Sequence, residues 1–521
     1  MTVQDDSKVF SLLGHKPSLF MVFFTEMWER FSYYGMRALF VLFLTTKIAD
    51  GGWAWSNEDA LKLYGWYTGL VYLTPIVGGF IADKFMGYRK AVALGALLMT
   101  LGHASMAIET PMFLYTGLAF LILGNGLFKP NLTSIVSGLY AKNEEKKDGA
   151  YTIYYMGVNA GAFLGIMLCG YIGEKVSWSL GFGLAGIFMF LGMLQFWFGK
   201  GILENVGLAP KEKYDLDDID DVVEDAVEEV VEEVKVSSGV QRDRYIVVGV
   251  LAFFTIFFWA AFEQAGGSMT IFANKYTDRI LEGGAANIFK IVDTIITLVP
   301  LLIITWVLWK LFAQTFKKIS LSNIILGGSF AIIWGIVIWK LNREFSAETT
   351  EVPASWFGIL NSLFIISFAP LFSKLWESKY NPSAAVKFGL GLILLGFGFG
   401  LLAFGAISIP QGAETAKVSM MWLIFAYLFH TIGELFLSPV GLSYVSKLVP
   451  AKLIGLMFGV WYLAIFLGNW SAGQLGGMID KITSEYSLTT FFMIFTVVPA
   501  AAGLIMIVLN PVLKKLMHGV R

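Results

Sequence analysis

Glu26, Glu29, Arg30 and Arg37, with Tyr33 and Tyr34 among them, stand inside an apolar stretch long enough to cross a bilayer. A helix turns about 100° and rises about 1.5 Å per residue, which gathers these six side chains into an arc of about 140° and a strip about 16 Å long. Phe24, Phe31 and Gly35 face the other way. One ionised side chain at the bilayer centre costs roughly 2.5–3.5 kcal/mol on insertion scales, so the strip must face protein or water. Carboxylates beside guanidinium groups can pass a proton and take up a charged ligand.

Other ionisable residues lie in apolar surroundings: Lys129 in "GNGLFKPN", Glu263 in "FWAAFEQAGG", Asp293 in "IVDTI" and Glu434 in "HTIGELFLSP". Polar companions are Tyr72, Asn159, Asn361 and Ser438. Two readings are open. The charges either glue helices as static ion pairs or line a site, and the poor stabilising return of buried pairs favours the site. Asp293 is expected near a helix end, and His103 as a hydrogen-bonded interior residue. His430, one turn before Glu434, either modulates that carboxylate or packs locally.

The positioning elements follow from composition. The 521 residues are 56% hydrophobic and 15% charged, too little charge to cover a water-soluble surface of this size. The chain reads as all-α and polytopic. Runs of about 20 apolar residues, the length that crosses a bilayer, lie near 17–47, 60–82, 91–108, 112–140, 150–173 and 179–199. A polar segment, 200–244, separates them from runs near 246–273, 286–312, 321–341, 354–376, 388–408, 419–446, 454–478 and 488–509, giving fourteen helices. Lys and Arg gather in 83–90, 141–149, 310–320, 373–387, 446–452 and 514–521, which places both termini and the linker in the cytoplasm. Apolar residues at 216, 219, 223, 226, 230 and 234 give the acidic linker a helical stripe, read either as a lateral amphipathic helix or as a solvated spacer. The first apolar run exceeds the roughly 7–15 residues of a signal-peptide core and is read as a retained helix. The single cysteine, Cys169, excludes an intramolecular disulfide and a multi-cysteine metal site.

"EMWERFSYYG" (26–35) matches the ExxERFxYYG signature of the proton-dependent oligopeptide transporters, a branch of the major facilitator superfamily. "GGFIADKFMGYRK" (78–90) resembles the superfamily's loop after the second helix, and "GNGLFKPN" (124–131), "YYMGVNAGA" (154–162) and "GELFLSPVGLS" (433–443) resemble further signatures of the family, in the family's order. The resemblance implies a major facilitator fold of two six-helix bundles, 1–199 and 245–521, joined by the 200–244 linker. It also implies inward transport of di- and tripeptides driven by protons. Substrate would be bound by Arg30, Tyr33, Tyr34, Tyr72, Lys129, Asn159, Trp259, Asn361, Glu434, Ser438 and Trp461. Glu26, Glu29, Arg30 and Lys129 would couple protons. Arg37 with Glu263, and Lys129 with Glu434, would be gating pairs. The chain departs from the family at one point: members with fourteen helices usually carry the extra pair between the bundles, whereas here it falls within the second bundle, at about 286–341. Its expected role is peripheral packing.

All dipeptides share an ammonium, a carboxylate and an amide over about 7 Å. Arg30 suits the carboxylate bidentately, Lys129 adds a compact charge, and Glu434 suits the ammonium. A bare anion such as nitrate, the substrate of plant relatives, has no obvious use for Glu434. HExxH, paired catalytic aspartates and GxSxG are absent, so an enzyme is not expected. A non-transporting membrane scaffold remains the other reading. No cofactor, metal or nucleic acid is expected. Protons, peptides and the lipid bilayer are the expected partners of a monomer in a bacterial inner membrane.

Overall fold

The computed structural model describes residues 12–141, 143–209, 238–450 and 453–520. The amphipathic stripe of the linker lies outside them. The helices are α1 (Pro17–Thr45), α2 (Asn57–Ile81), α3 (Gly87–Met106), α4 (Pro111–Leu139), α5 (Lys147–Lys175) and α6 (Trp178–Gly199), then α7 (Ser238–Phe262) and the short α8 (Ser268–Lys275). They continue as α9 (Gly283–Thr315), α10 (Ser320–Ser346), α11 (Ile359–Glu377), α12 (Ala384–Gly405), α13 (Met421–Leu448), α14 (Ile454–Gly477), α15 (Ile479–Glu485), α16 (Leu488–Val508) and α17 (Asn510–Leu516). Four two-residue strands, β1 (Thr277–Asp278), β2 (Ile280–Leu281), β3 (Thr350–Glu351) and β4 (Val418–Ser419), complete it. The chain is an all-α polytopic membrane protein. Among the described residues, eleven helical segments are long and apolar enough to cross a membrane, and Met421–Leu437 is a shorter apolar one. Helix α1 falls outside that set because of its four charges, and residues 57–106 form one continuous segment.

The chain divides into two compact units. The first holds the described residues of Met1–Leu39, Thr74–Leu216 and Arg279–Pro353; the second holds those of Phe40–Leu73, Asp217–Asp278 and Ala354–Arg521. Helix α2 passes from the second unit to the first at Thr74, beside the intrahelical Pro75.

In the first unit, α1 and α5 meet through small residues spaced four apart. A Cβ added at Gly157, Gly161 or Gly165 would run into Phe23, Met27 or Phe31 respectively, and one at Gly35 would lie 2.7 Å from Cys169 Sγ. Without side chains at these positions the two backbones approach closely, as small-xxx-small pairs allow in membranes. This seam sets the rotation of α1 and with it the direction of the charged strip. Helices α9 and α10 belong to this unit although their sequence lies in the second half of the chain. Ser322 Oγ donates to the Gln195 carbonyl at 2.7 Å, and Phe330 meets Trp28 edge-on at 5.6 Å.

In the second unit, the start of α2 packs on α14. A Cβ at Gly65 would lie 2.7 Å from Gly473 Cα, and Asn469 Nδ2 donates to the Thr68 carbonyl at 3.2 Å. Helix α16 begins where Ser487 Oγ accepts the Thr490 amide at 3.0 Å, a regular N-cap.

Candidate functional site

The charged strip of α1 is buried: Glu29 is 0%, Glu26 2% and Arg30 4% exposed. Arg30 Nε donates to Glu29 Oε2 and lies 3.2 Å from Glu26 Oε1, one helical turn away. Each carboxylate has a further donor from a neighbouring helix. Asn125 Nδ2 of α4 reaches Glu29 Oε1 at 3.0 Å, and the Tyr154 hydroxyl of α5 reaches Glu26 Oε2 at 2.7 Å. Lys129, one turn beyond Asn125 on α4, is half-buried and interacts electrostatically with Arg30, Glu29 and Glu26. The structure thus gathers two acids and two bases in one unit, with hydrogen bonds that satisfy much of the buried charge.

Two polar atoms of this cluster are left over, and Asn125 Oδ1 is one of them. Arg30 Nη2 is buried and has no hydrogen-bond partner among the described residues. Tyr33 is buried and lies 5.3 Å from the Arg30 guanidinium, while Tyr34 and Arg37, half-buried, stand 5.8 Å apart as a cation–π pair. Asn159, on the same helix as Tyr154, is half-buried and donates to the Tyr155 carbonyl at 3.0 Å.

The second unit contributes another set. Asn361 Nδ2 donates to Glu434 Oε2 at 2.9 Å and to Thr431 Oγ1 at 3.1 Å, and both Asn361 and Glu434 remain half-buried. The rings of Tyr72 and Trp259 lie 6.1 Å apart, both part-exposed. Glu263 is buried and accepts from the Tyr64 hydroxyl at 2.9 Å. Trp461 is 4% exposed, its ring packed where a Cβ on Gly441 would stand. Ser438 lies on α13, with its side chain outside the described ones. Among the described residues no group of three or more His, Cys, Asp and Glu could hold a metal ion.

Residues 89–215 and 327–494 match the POT family. The chain is 32% identical over 519 residues to an uncharacterized transporter, YclF, of Bacillus subtilis, covering 97% of this chain and 96% of that one. The chain belongs to the POT family. This POT-family chain is also 28% identical over 529 residues to a di-/tripeptide transporter of Lactococcus lactis, covering 98% of each. A crystal structure of a peptide transporter POT in complex with sulfate, 28% identical, superposes with a TM-score of 0.72, covering 99% of this chain and all of that one.

Two expectations about single residues change, and for His430 the structure shows the packing contact that was one of its two readings. Asp293 lies well inside α9, not near its end, paired with Lys340 of α10. His103 is fully buried, yet neither ring nitrogen has a hydrogen-bond partner among the described residues. His430 packs on the Phe399 ring at 4.4 Å. Tyr154, Asn125, Tyr64 and Thr431 are the polar partners that sequence reasoning passed over. The first two sit inside quoted motifs, Asn125 four residues before Lys129 and so on the same helical face.

Proposed function

We propose that this chain is a proton-coupled symporter that imports di- and tripeptides by alternating access. The carrying observation is Arg30, whose Nε is committed to Glu29 and Glu26 while Nη2 is buried and unpartnered. A donor kept dry and unused is prepared for an acceptor such as a peptide carboxylate. When that carboxylate draws Arg30 away, Glu29 and Glu26 lose their cationic partner, and a proton is the charge available to replace it. Proton and peptide then favour each other's binding, a reciprocal coupling. A charge moving down 100 mV supplies about 2.3 kcal/mol, enough for roughly 50-fold accumulation.

Arg30, Tyr33, Tyr34, Lys129 and Asn159 from the first unit, and Tyr72, Trp259, Asn361, Glu434, Ser438 and Trp461 from the second, are assigned to the peptide. Glu26, Glu29, Arg30 and Lys129 are assigned to proton coupling; Arg37 with Glu263 and Lys129 with Glu434 are assigned to gating. Glu26, Glu29, Arg30, Tyr33, Tyr34, Lys129, Asn159, Glu434 and Ser438 stand inside the stretches that resemble the family's motifs, which supports their assignment. Two six-helix bundles, 1–199 and 245–521, with the linker at 200–244 and the extra pair at about 286–341, make fourteen helices. Both termini face the cytoplasm of a bacterial inner membrane, and one copy suffices for transport without a cofactor. The test is uptake of labelled dialanine into proteoliposomes. Accumulation with an imposed proton gradient, absent without it and not reproduced by nitrate, is expected; gradient-independent equilibration, or nitrate uptake alone, rejects the reading.

A further inference from the structure

Helices α9 and α10 carry a buried ion pair of their own. Lys340 Nζ lies 2.5 Å from Asp293 Oδ1 and 3.3 Å from Thr297 Oγ1, and Lys340 is fully buried. Thr297 Oγ1 in turn lies 3.2 Å from Met167 Sδ of α5. Along the same seam the Tyr171 hydroxyl of α5 donates to Glu344 Oε1 at 2.5 Å, and Arg343 Nη2 donates to the Lys175 carbonyl at 3.2 Å. Lys175 Nζ, at the end of α5, bonds Glu351 Oε2 at 2.5 Å. Sliding the hairpin along α5 would strand several of these groups without partners, which makes the seam a clasp and not a lubricated contact.

The chain changes partners abruptly on either side of this hairpin. Residues up to Asp278 are bonded within the second unit: the Ala416 amide to the Lys275 carbonyl at 3.0 Å, the Val418 amide to the Tyr276 carbonyl at 2.8 Å, and β1 alongside β4 in parallel. Arg279, the next residue, is bonded within the first. Its carbonyl accepts the Val352 amide at 2.9 Å, its Nη1 donates to the Val352 carbonyl at 2.5 Å, and its Nη2 lies 3.0 Å from Glu351. Strands β2 and β3 continue that zip in antiparallel. Pro353 has no amide proton with which to extend it, and Ala354 begins the second unit again.

We infer that the inserted hairpin is a strut fixed to the first unit, clasped along α5 so that the two move as one piece. The β2–β3 zip holds the two ends of the hairpin side by side, and the Arg279–Glu351–Lys175 chain ties them to the end of α5. The uptake readout below rests on the transport reading; the clasp does not.

The test joins Lys175→Cys and Glu351→Cys, in a Cys169→Ala background, with a bifunctional thiol reagent that a reductant releases. Because the strut and α5 move together, cross-linked protein should take up dialanine within about twofold of the same protein after reduction, whereas a clasp that must open would make the link cost about tenfold or more, as blocked domain motions do. Spin labels at the exposed positions Val176→Cys and Phe345→Cys, 48% and 55% exposed in the parent chain, supply a readout independent of substrate. Their separation should stay the same at acid and neutral pH, with and without dialanine; a separation that shifts overturns the strut. If the reduced protein and the unsubstituted chain both fail to move dialanine, the transport reading fails, and the label separation at the two pH values still decides the strut.

Discussion

The Tyr64 hydroxyl donates to Glu263 Oε2 at 2.9 Å, with the tyrosine 1% and the carboxylate 2% exposed. Tyr64 is on α2, whose first part belongs to the second unit with Glu263, so this bond fastens the beginning of α2 to the end of α7. Tyr64→Phe keeps the ring and removes the donor. Losing one donor to a buried acceptor costs about 1–3 kcal/mol, which thermal unfolding in detergent should register as a lowered midpoint. An unchanged midpoint would mean that Glu263 does not depend on this donor.

The neighbouring seam is a close approach of α2 and α14. A Cβ at Gly473 would lie 2.5 Å from the Leu61 carbonyl and 2.6 Å from Gly65 Cα, so Gly473→Leu must push α2 off α14. Overpacking of this kind costs about 1–3 kcal/mol. Uptake and thermal stability should both fall, while Gly249→Ala, with nothing within 4 Å of its added carbon, should leave both near the starting values.

Asp293 and Lys340 should show the signature of a buried pair. Asp293→Asn leaves an ammonium without its counter-charge and should cost about 3–5 kcal/mol, seen as poor yield of folded protein. Asp293→Leu combined with Lys340→Met removes both charges and should recover most of that yield. A double variant no better than the single one would show that the network, not the pair, holds the seam.

Arg30→Lys preserves the charge of the strip and deletes the planar fork, including the unpartnered Nη2. A hydrogen bond to a charged group contributes about 1.5–3 kcal/mol, so dialanine affinity should weaken by roughly 10- to 100-fold. Concentration-dependent uptake and binding measured in detergent read this directly; equal affinity in the variant removes Arg30 from the peptide site.

The segment before α1 should respond to acid. His15 Nδ1 lies 2.9 Å from the Tyr140 hydroxyl, and Lys146 Nζ donates to the Gly14 carbonyl at 3.1 Å. Burial, reinforced by the Lys146 charge, holds the His15 imidazole below its ordinary value of 6.5. A depressed folded value means that the contact is fully present above about pH 6.5 and is lost as pH falls through the folded value, because the released histidine binds the proton better. Hydrogen exchange in 12–16 and 140–149 should therefore speed up on acidification beyond the intrinsic pH effect, and His15→Gln should abolish that excess.

Much of the site was legible because it is local. Glu26, Glu29, Arg30, Tyr33, Tyr34 and Arg37 share one helix, and the helical repeat alone puts them on one strip whatever the rest of the chain does. The long apolar runs announced the spans for the same reason: a bilayer demands internal hydrogen bonding and a minimum length, both properties of a single segment. Lys129 was visible as a charge in an apolar run, and Asn125 could have been found with it from their four-residue spacing.

Pairings between helices were not legible, since periodicity gives the face of one helix and not its rotation and shift against another. Asp293 found Lys340, 47 residues away, and Tyr154 found Glu26, 128 residues away, only through packing. The sequence determined that charge must sit inside these helices and be compensated there, because lipid leaves no alternative. Tertiary structure alone decided which partner compensates it, and joined α9 and α10 to the first unit, because those outcomes depend on close backbone approach at Gly157, Gly161 and Gly165 and on hydrogen bonds between residues distant in the chain.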